Sequence, residues 1–175
     1  TYQYSVDKYK EIENISTIYT NYDKNYLKDI DENQQKPNSK PILLILDDVL
    51  LSVNINNDKY FKNIIFNGRH LKIFTIINIQ YPIGFKPEIR TNIDLVLMYK
   101  DSICSIIKQA YEYYFGFIPK FAEFNNLIQN LNDYECVCGI NSEKFCICKA
   151  PDNKNNKNNN LKIINNKLIN EEDKQ

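Results

Sequence analysis

Two adjacent acids, Asp47 and Asp48, close an unbroken apolar run, Ile42-Leu43-Leu44-Ile45-Leu46. Such a run is what a strand covered on both faces of a parallel sheet requires. Acids at its end then lie at the sheet's carboxyl edge, where open α/β folds bind their ligands. One carboxylate at that edge can share Mg²⁺ with nucleotide phosphates, and a second can polarise an attacking water as a general base. A strand that merely meets a turn has the same sequence, because Asp is common in turns.

A second group of polar residues follows. Asn67-Gly68-Arg69-His70 precedes another apolar run, Ile73 to Ile79, which ends at Gln80. Arg90-Thr91-Asn92-Ile93-Asp94 leads into a third, Leu95 to Tyr99. An amide at the end of the strand beside the acids can touch both an attacking water and a γ-phosphate. An arginine in a loop near a subunit boundary can stabilise transition-state charge across it. Taken singly, each residue has a plainer reading: an ordinary amide, a solvated arginine, a capping histidine. His70 reads as part of its turn and not as a base or a metal ligand.

The five cysteines are Cys104, Cys136, Cys138, Cys146 and Cys148. The two C-x-C pairs flank the turn-prone Asn141-Ser142, which makes Glu135 to Gly139 and Lys144 to Lys149 a hairpin. Alternation puts each pair on one face of its strand, so four sulfurs can converge as for tetrahedral Zn²⁺. The commoner spacing is C-x₂-C, and small buried hydrophobes are the plainer reading, so zinc is not expected.

The surrounding pattern places these residues. Tyr9, Ile12, Ile15, Tyr19, Tyr22 and Tyr26 recur at three- and four-residue steps, predicting one helix from about Ser5 to Asp31. Glu32 to Lys40 reads as a connector. Asp58 caps a helix to about Gly68, with Tyr60, Phe61, Ile64 and Ile65 inward. Further helices are expected near Glu88 to Asn92, Ile103 to Phe115 and Pro119 to Leu131. Strands alternating with helices imply an α/β fold with a mainly parallel sheet, flanking helices and a C-terminal β-hairpin. From Pro151 the Asn/Lys-rich tail (151–175) has little to bury and is expected to be disordered, with a weak helix over Leu161 to Asn170.

In their order, Asp47-Asp48, Asn67-Gly68-Arg69-His70, Gln80-Tyr81-Pro82 and Glu88-Ile89-Arg90-Thr91-Asn92-Ile93-Asp94 resemble the packaging ATPase of nucleocytoplasmic large DNA viruses. That family has poxvirus and mimivirus-type members and belongs to the FtsK–HerA division of P-loop NTPases. Tyr111 to Phe121, and Asp133 down to Ala150, are similar to the segments that follow in its giant-virus branch. The resemblance covers roughly residues 41–150 and rests on order and spacing.

It implies the C-terminal part of a P-loop NTPase domain of the ASCE/RecA-like kind over residues 1–150. The activity implied is an ATP-driven motor that moves double-stranded DNA into a capsid, built as a homo-oligomeric ring. Asp47 would match the Walker B aspartate that holds Mg²⁺, and Asp48 the catalytic acid. Gln80 would be the sensor, and Arg69 and Arg90 are candidates for arginines acting in trans. ATP and Mg²⁺ are the implied cofactors. The implied partners are DNA, further copies of the chain, and capsid or portal components, in the host cytoplasm (the viral factory) or the virion.

One departure is large. No GxxxxGK[ST] loop occurs, and the only glycines, Gly68, Gly84, Gly116 and Gly139, all follow Asp47. Backbone N–H groups and the lysine of that loop supply most of the phosphate grip. The chain is therefore expected to be inactive alone and to need a Walker A-bearing N-terminal portion. The start at Thr1, within a helix-forming segment, favours a piece of a longer or split gene over a decayed copy. The alternative is a non-catalytic oligomerisation or DNA-contacting remnant. A cellular translocase of the same division is disfavoured by the Tyr111 to Phe121 stretch.

Composition adds limits. Lys+Arg and Asp+Glu both total 22, so net charge cannot drive DNA coating and any DNA contact needs a local patch or a ring. No run of about 18 apolar residues is present to span a bilayer.

Overall fold

Strand β1 (Ile42–Asp47) pairs in parallel with β2 (Ile73–Asn78), in register from Ile42 opposite Ile73 to Asp47 opposite Asn78. This comes from a computed structural model that describes residues 9–10, 15, 17–19, 23–47, 55–150 and 162–165. The chain divides into two compact units, Thr1–Asn92 and Ile93–Gln175.

In the first unit, helix α1 (Lys24–Gln34) precedes β1, and α2 (Lys59–Leu71) crosses over from β1 to β2. Asp58 starts α2 as its sequence position predicts: its Oδ1 accepts from the N–H groups of Tyr60 (2.8 Å) and Phe61 (3.0 Å). Asp58→Ala is expected to lower stability by about 0.5–2 kcal/mol, read as a shift in the urea midpoint. Phe61, Ile64, Gly68 and Leu71 form the buried stripe of α2. Tyr60 and Ile65, expected inward with them, are only half-buried. The helix runs past Gly68 because Lys72, not glycine, takes the left-handed position that ends it, at φ 56°. Gly68 has a different role. A Cβ there would stand 3.1 Å from the Ile73 carbonyl oxygen, so its absence lets the helix lie close to the start of β2.

The long N-terminal helix expected from Ser5 to Asp31 is not continuous. Tyr9 and Lys10 are helical, but Ile15 and residues 17–19 are not, and α1 begins afresh at Lys24. The physical reason is local. Asp23 accepts from the Asn25 N–H at 2.8 Å as an N-cap, and the β-branched residues Ile15, Thr17 and Ile18 resist helix. Tyr19 and Tyr26 still meet, but by ring stacking at 3.8 Å between centroids. The connector is also shorter than expected, since α1 extends to Gln34. Buried Asp31 ties α1 to α2, accepting from Asn63 Nδ2 at 2.6 Å and from Gln35 Nε2 at 2.9 Å. A short helix α3 (Pro87–Arg90) closes this unit.

In the second unit, the third expected strand, β3 (Leu95–Tyr99), pairs antiparallel with β4 (Glu135–Ile140). Hydrophobic runs identified the strand, but periodicity does not name a strand's neighbour. The β3-β4-β5-β6 sheet contains the predicted hairpin, with β5 at Lys144–Lys149. Asn141 and Ser142 both adopt left-handed φ (50° and 54°), and the Glu143 N–H donates to the Ile140 carbonyl at 3.0 Å. Asn tolerates this left-handed backbone better than most residues, which is why the pair reads as a turn in the sequence. β6 (Lys162–Asn165) pairs antiparallel with β5, where a helix over Leu161 to Asn170 was expected. The adjacent Ile163 and Ile164 suit a strand, and an open ladder on β5 was available to them. The remainder of the 151–175 tail lies outside the described residues.

Helix α4 (Cys104–Ala110) widens into a π-helical turn at Tyr111–Phe115, and α5 follows (Phe121–Gln129). These helices pack Ile107, Phe115, Phe124 and Ile128 against Val137 of β4. Phe115 stacks on Phe124 at 4.7 Å, and a Cβ on Gly139 would come within 2.8 Å of its ring. Because Phe115 is fully buried, the ring cannot yield. Gly139→Ala is expected to destabilise the chain by about 1–3 kcal/mol, measured by denaturant unfolding.

Candidate functional site

Asp47 ends β1 at the carboxyl edge of the parallel pair, half-buried. Asn78, its register partner on β2, donates from Nδ2 to Asp47 Oδ1 at 2.8 Å. Tyr9 also meets this carboxylate. Burial, and then the charge of Asp47 and the hydrogen bond the phenol donates to it, hold the Tyr9 hydroxyl above its usual range. Two neutral donors therefore orient the Asp47 carboxylate. A hard carboxylate oxygen held this way suits a hard cation such as Mg²⁺. Asp48, the next residue, lies outside the described residues.

Asn78 and Tyr9 were not singled out in the sequence. Asn78 had a usable signal, since strand alternation puts it on the same face as Gln80, two positions on. Tyr9 had none, because pairing it with Asp47 requires the chain to turn back from the N-terminal segment.

Gln80 follows the end of β2 and is exposed at the same edge. The arginines separate. Arg69 lies in the last turn of α2, next to the start of β2, and so at the opposite end of the strand pair. With about 3.3 Å of rise per residue, the length of β2 puts that end about 17 Å from the Asn78 end. His70 is exposed beside it. Arg90 belongs to the segment packed near the start of α2, on the Asp47 side. That packing includes stacked Phe61 and Phe85 rings at 6.0 Å and a Lys62–Glu88 ion pair at 2.9 Å. Asn56, in the turn before α2, donates to the Gly84 carbonyl at 2.5 Å and accepts from the Lys86 N–H at 3.0 Å. Arg90 ends a short helix instead of lying in a loop, and its Nη1 donates to the Phe85 carbonyl at 2.9 Å. Asp47, Gln80 and Arg90 thus share one end of the first unit, and Arg69 does not.

One face of the parallel pair is open. Leu43 lies opposite Phe74, and Ile45 opposite Ile76, which puts all four side chains on the same face. Leu43 is 56% exposed, Phe74 63% and Ile76 44%.

In the second unit, Cys136 lies opposite Cys148 and Cys138 opposite Cys146, so all four thiols share one face of the hairpin. All are free and buried. The sulfur atoms of Cys138, Cys146 and Cys148 lie within 4.8 Å of one another, with 3.6 Å between those of Cys146 and Cys148. Burial, and then the neighbouring Cys148, Cys138 and Cys146, push the Cys136 thiol up to about 11. Cys104 is exposed in α4, away from the hairpin strands.

No helix among the described residues is long and apolar enough to cross a membrane.

No family model matches the chain. It is similar to uncharacterised proteins of large DNA viruses. One, from Invertebrate iridescent virus 6, is 31% identical over 131 residues, covering 71% of this chain and 51% of that protein. Another, from Invertebrate iridescent virus 3, is 33% identical over 96 residues, covering 54% of this chain and 37% of that protein. A third, from Acanthamoeba polyphaga mimivirus, is 28% identical over 97 residues, covering 54% of this chain and 34% of that protein. The chain thus spans about half or less of these relatives' length. Similar solved structures include the genome packaging NTPase of Sulfolobus turreted icosahedral virus 2 in complex with ATP-gammaS. It is 18% identical, with a TM-score of 0.49, over 63% of this chain and 52% of that one. The DNA-packaging ATPase of Sulfolobus turreted icosahedral virus gives the same identity, TM-score and coverage. The fold described above rests on its own strand pairing and not on this likeness.

Proposed function

We propose that the chain is the Walker B-bearing portion of an ATP-hydrolysing motor that packages viral double-stranded DNA. The observation that carries the reading is Asp47 at the carboxyl edge of a parallel strand pair, with Gln80 leaving the neighbouring strand at the same edge. The ordered motifs shared with large-DNA-virus packaging ATPases support it, as do relatives from iridoviruses and a mimivirus. A viral factory in the host cytoplasm, or the virion, is the corresponding setting.

In this reading Asp47 holds Mg²⁺, and Asn78 and Tyr9 are positioning residues that fix its carboxylate. The ion, when bound with ATP, neutralises charge on the β- and γ-phosphates. Asp48 accepts a proton from the attacking water. Gln80 orients that water through its amide. Arg90, at the same end as Asp47, is the better candidate for a charge donated to a neighbouring subunit's site, and its bond to the Phe85 carbonyl pre-sets its direction. Arg69 reaches a nucleotide only if a neighbouring copy presents its opposite end.

The chain carries no GxxxxGK[ST] loop, so the phosphate grip must come from another stretch of polypeptide. The open face of Leu43, Phe74 and Ile76 supports this, because parallel sheets are ordinarily covered on both faces. The same face also suits the second reading, a non-catalytic oligomerising or DNA-contacting remnant. One experiment separates the two. The chain alone is expected to hydrolyse no ATP. Co-expressed with the Walker A-bearing half of a relative, it should show DNA-stimulated phosphate release above that half alone. A stable complex with no hydrolysis under any DNA condition would leave the remnant reading in place.

A further inference from the structure

We propose that the β4–β5 hairpin is a binding site for a soft d¹⁰ metal ion, Zn²⁺ or Cu⁺, held by Cys138, Cys146 and Cys148 with Cys136 as the fourth ligand. Three observations carry it.

The first is convergence. Two cross-strand cysteine pairs occupy successive same-face positions, and three of their sulfurs already lie within 4.8 Å of one another. Zn–S bonds of about 2.3 Å in a tetrahedron set neighbouring sulfurs about 3.8 Å apart. The 3.6 Å between the Cys146 and Cys148 sulfurs is close to that spacing. Cys136, opposite Cys148 on the same face, is the remaining thiol that could complete the set.

The second is the face on which they lie. Val137 and Ile147 alternate with the cysteines and belong to the packing against α4 and α5, together with Val96 and Met98 of β3. The cysteines point to the other side and form a cluster of their own with Ile140. On that side their β3 neighbours, Leu97 opposite Cys138 and Tyr99 opposite Cys136, are more than half exposed. The four cysteines thus form a buried cluster of their own, separate from the apolar core that α4 and α5 fill.

The third is donor chemistry. Among the described residues this is the only group of three or more His, Cys, Asp or Glu side chains placed to hold an ion, and every member is sulfur. Thiolates select Zn²⁺ and Cu⁺ over Mg²⁺ or Ca²⁺. On binding, each ligating thiol loses its proton to solvent and a metal–sulfur bond replaces the S–H bond. No oxidant is required. The ion would cross-link β4 to β5 through residues that are not adjacent in sequence.

The test uses the full chain, expressed separately in zinc- and copper-supplemented medium, purified under reducing conditions and analysed for metal by mass spectrometry. A single zinc or copper ion per chain is expected, lost in the Cys138→Ser/Cys146→Ser double variant and retained in Cys104→Ser. The medium that loads the site identifies the ion. Should the double variant not fold, cobalt titration of the unaltered chain decides. Sulfur-to-cobalt charge-transfer absorption saturating at one equivalent supports the site, and its absence overturns it. The proposal also fails if the chain holds no more zinc or copper than the double variant, or if the four cysteines are isolated as disulfides.

Discussion

If Asp48 is the general base of the proposed motor, Asp48→Asn is expected to lower the rate of ATP hydrolysis by about 10²–10⁴-fold and to leave nucleotide affinity nearly unchanged. An asparagine keeps the shape of the carboxylate but cannot accept the proton that the attacking water must lose. That interaction exists only as the reaction proceeds, so its loss falls on kcat and not on binding. Asp47→Asn makes the contrast. If Asp47 holds Mg²⁺, its loss weakens Mg²⁺-dependent binding of ATP, and raising Mg²⁺ recovers part of the activity. Asn78→Ala and Tyr9→Phe should resemble a mild Asp47 variant, because each removes one donor that orients that carboxylate. Stopped-flow binding of a fluorescent ATP analogue, alongside steady-state phosphate release, separates the two signatures. Equal losses of binding in the Asp47 and Asp48 variants, or hydrolysis that survives Asp48→Asn, would sink the assignment of roles.

The elements that position the candidate site were partly legible in the sequence, and the reasons differ between residues. The run Ile42 to Leu46 followed by an acid marks a strand and its polar end. Among the described residues, however, the cover on both faces that such a run predicts is missing on the Leu43 side, where Leu43, Phe74 and Ile76 are exposed. The Asp58 cap and the Asn141-Ser142 turn were legible because each depends on a few neighbouring residues and a backbone conformation they favour. The break before Lys24 was missed because an apolar stripe continues through it. Periodicity sees Tyr19 and Tyr26 on one face, and it does not see Asp23 competing for the backbone. The pairing of β3 with β4, and the contact of Tyr9 with Asp47, depend on where distant segments meet, and no local pattern encodes either. The arginines show the same limit. Sequence makes Arg69 and Arg90 equivalent candidates, and only the course of α2 along the strand pair puts them at opposite ends.

The open face of that strand pair gives the second large effect. Phe74→Asp is expected to leave the isolated chain's stability within about 0.5 kcal/mol, since a side chain 63% exposed loses little packing. The same substitution should weaken capture of a Walker A-bearing partner half by about 2 kcal/mol or more, roughly 30-fold, because a central aromatic anchor is replaced by a charge that must be desolvated. Phe66→Asp provides the control: it is also an exposed aromatic, but it lies on α2 and not on the sheet. Binding measured by titration calorimetry, and hydrolysis measured in the same mixtures, should fall together for Phe74→Asp and stay near the unaltered values for Phe66→Asp. The argument turns on the register. Leu43, Ile45, Phe74 and Ile76 form one continuous apolar surface next to the edge that carries Asp47 and Gln80. An element that covers this surface can therefore deliver a phosphate-binding loop to that edge. If Phe74→Asp binds the partner half and supports hydrolysis like the unaltered chain, the loop must arrive by another route, and the open face serves something else.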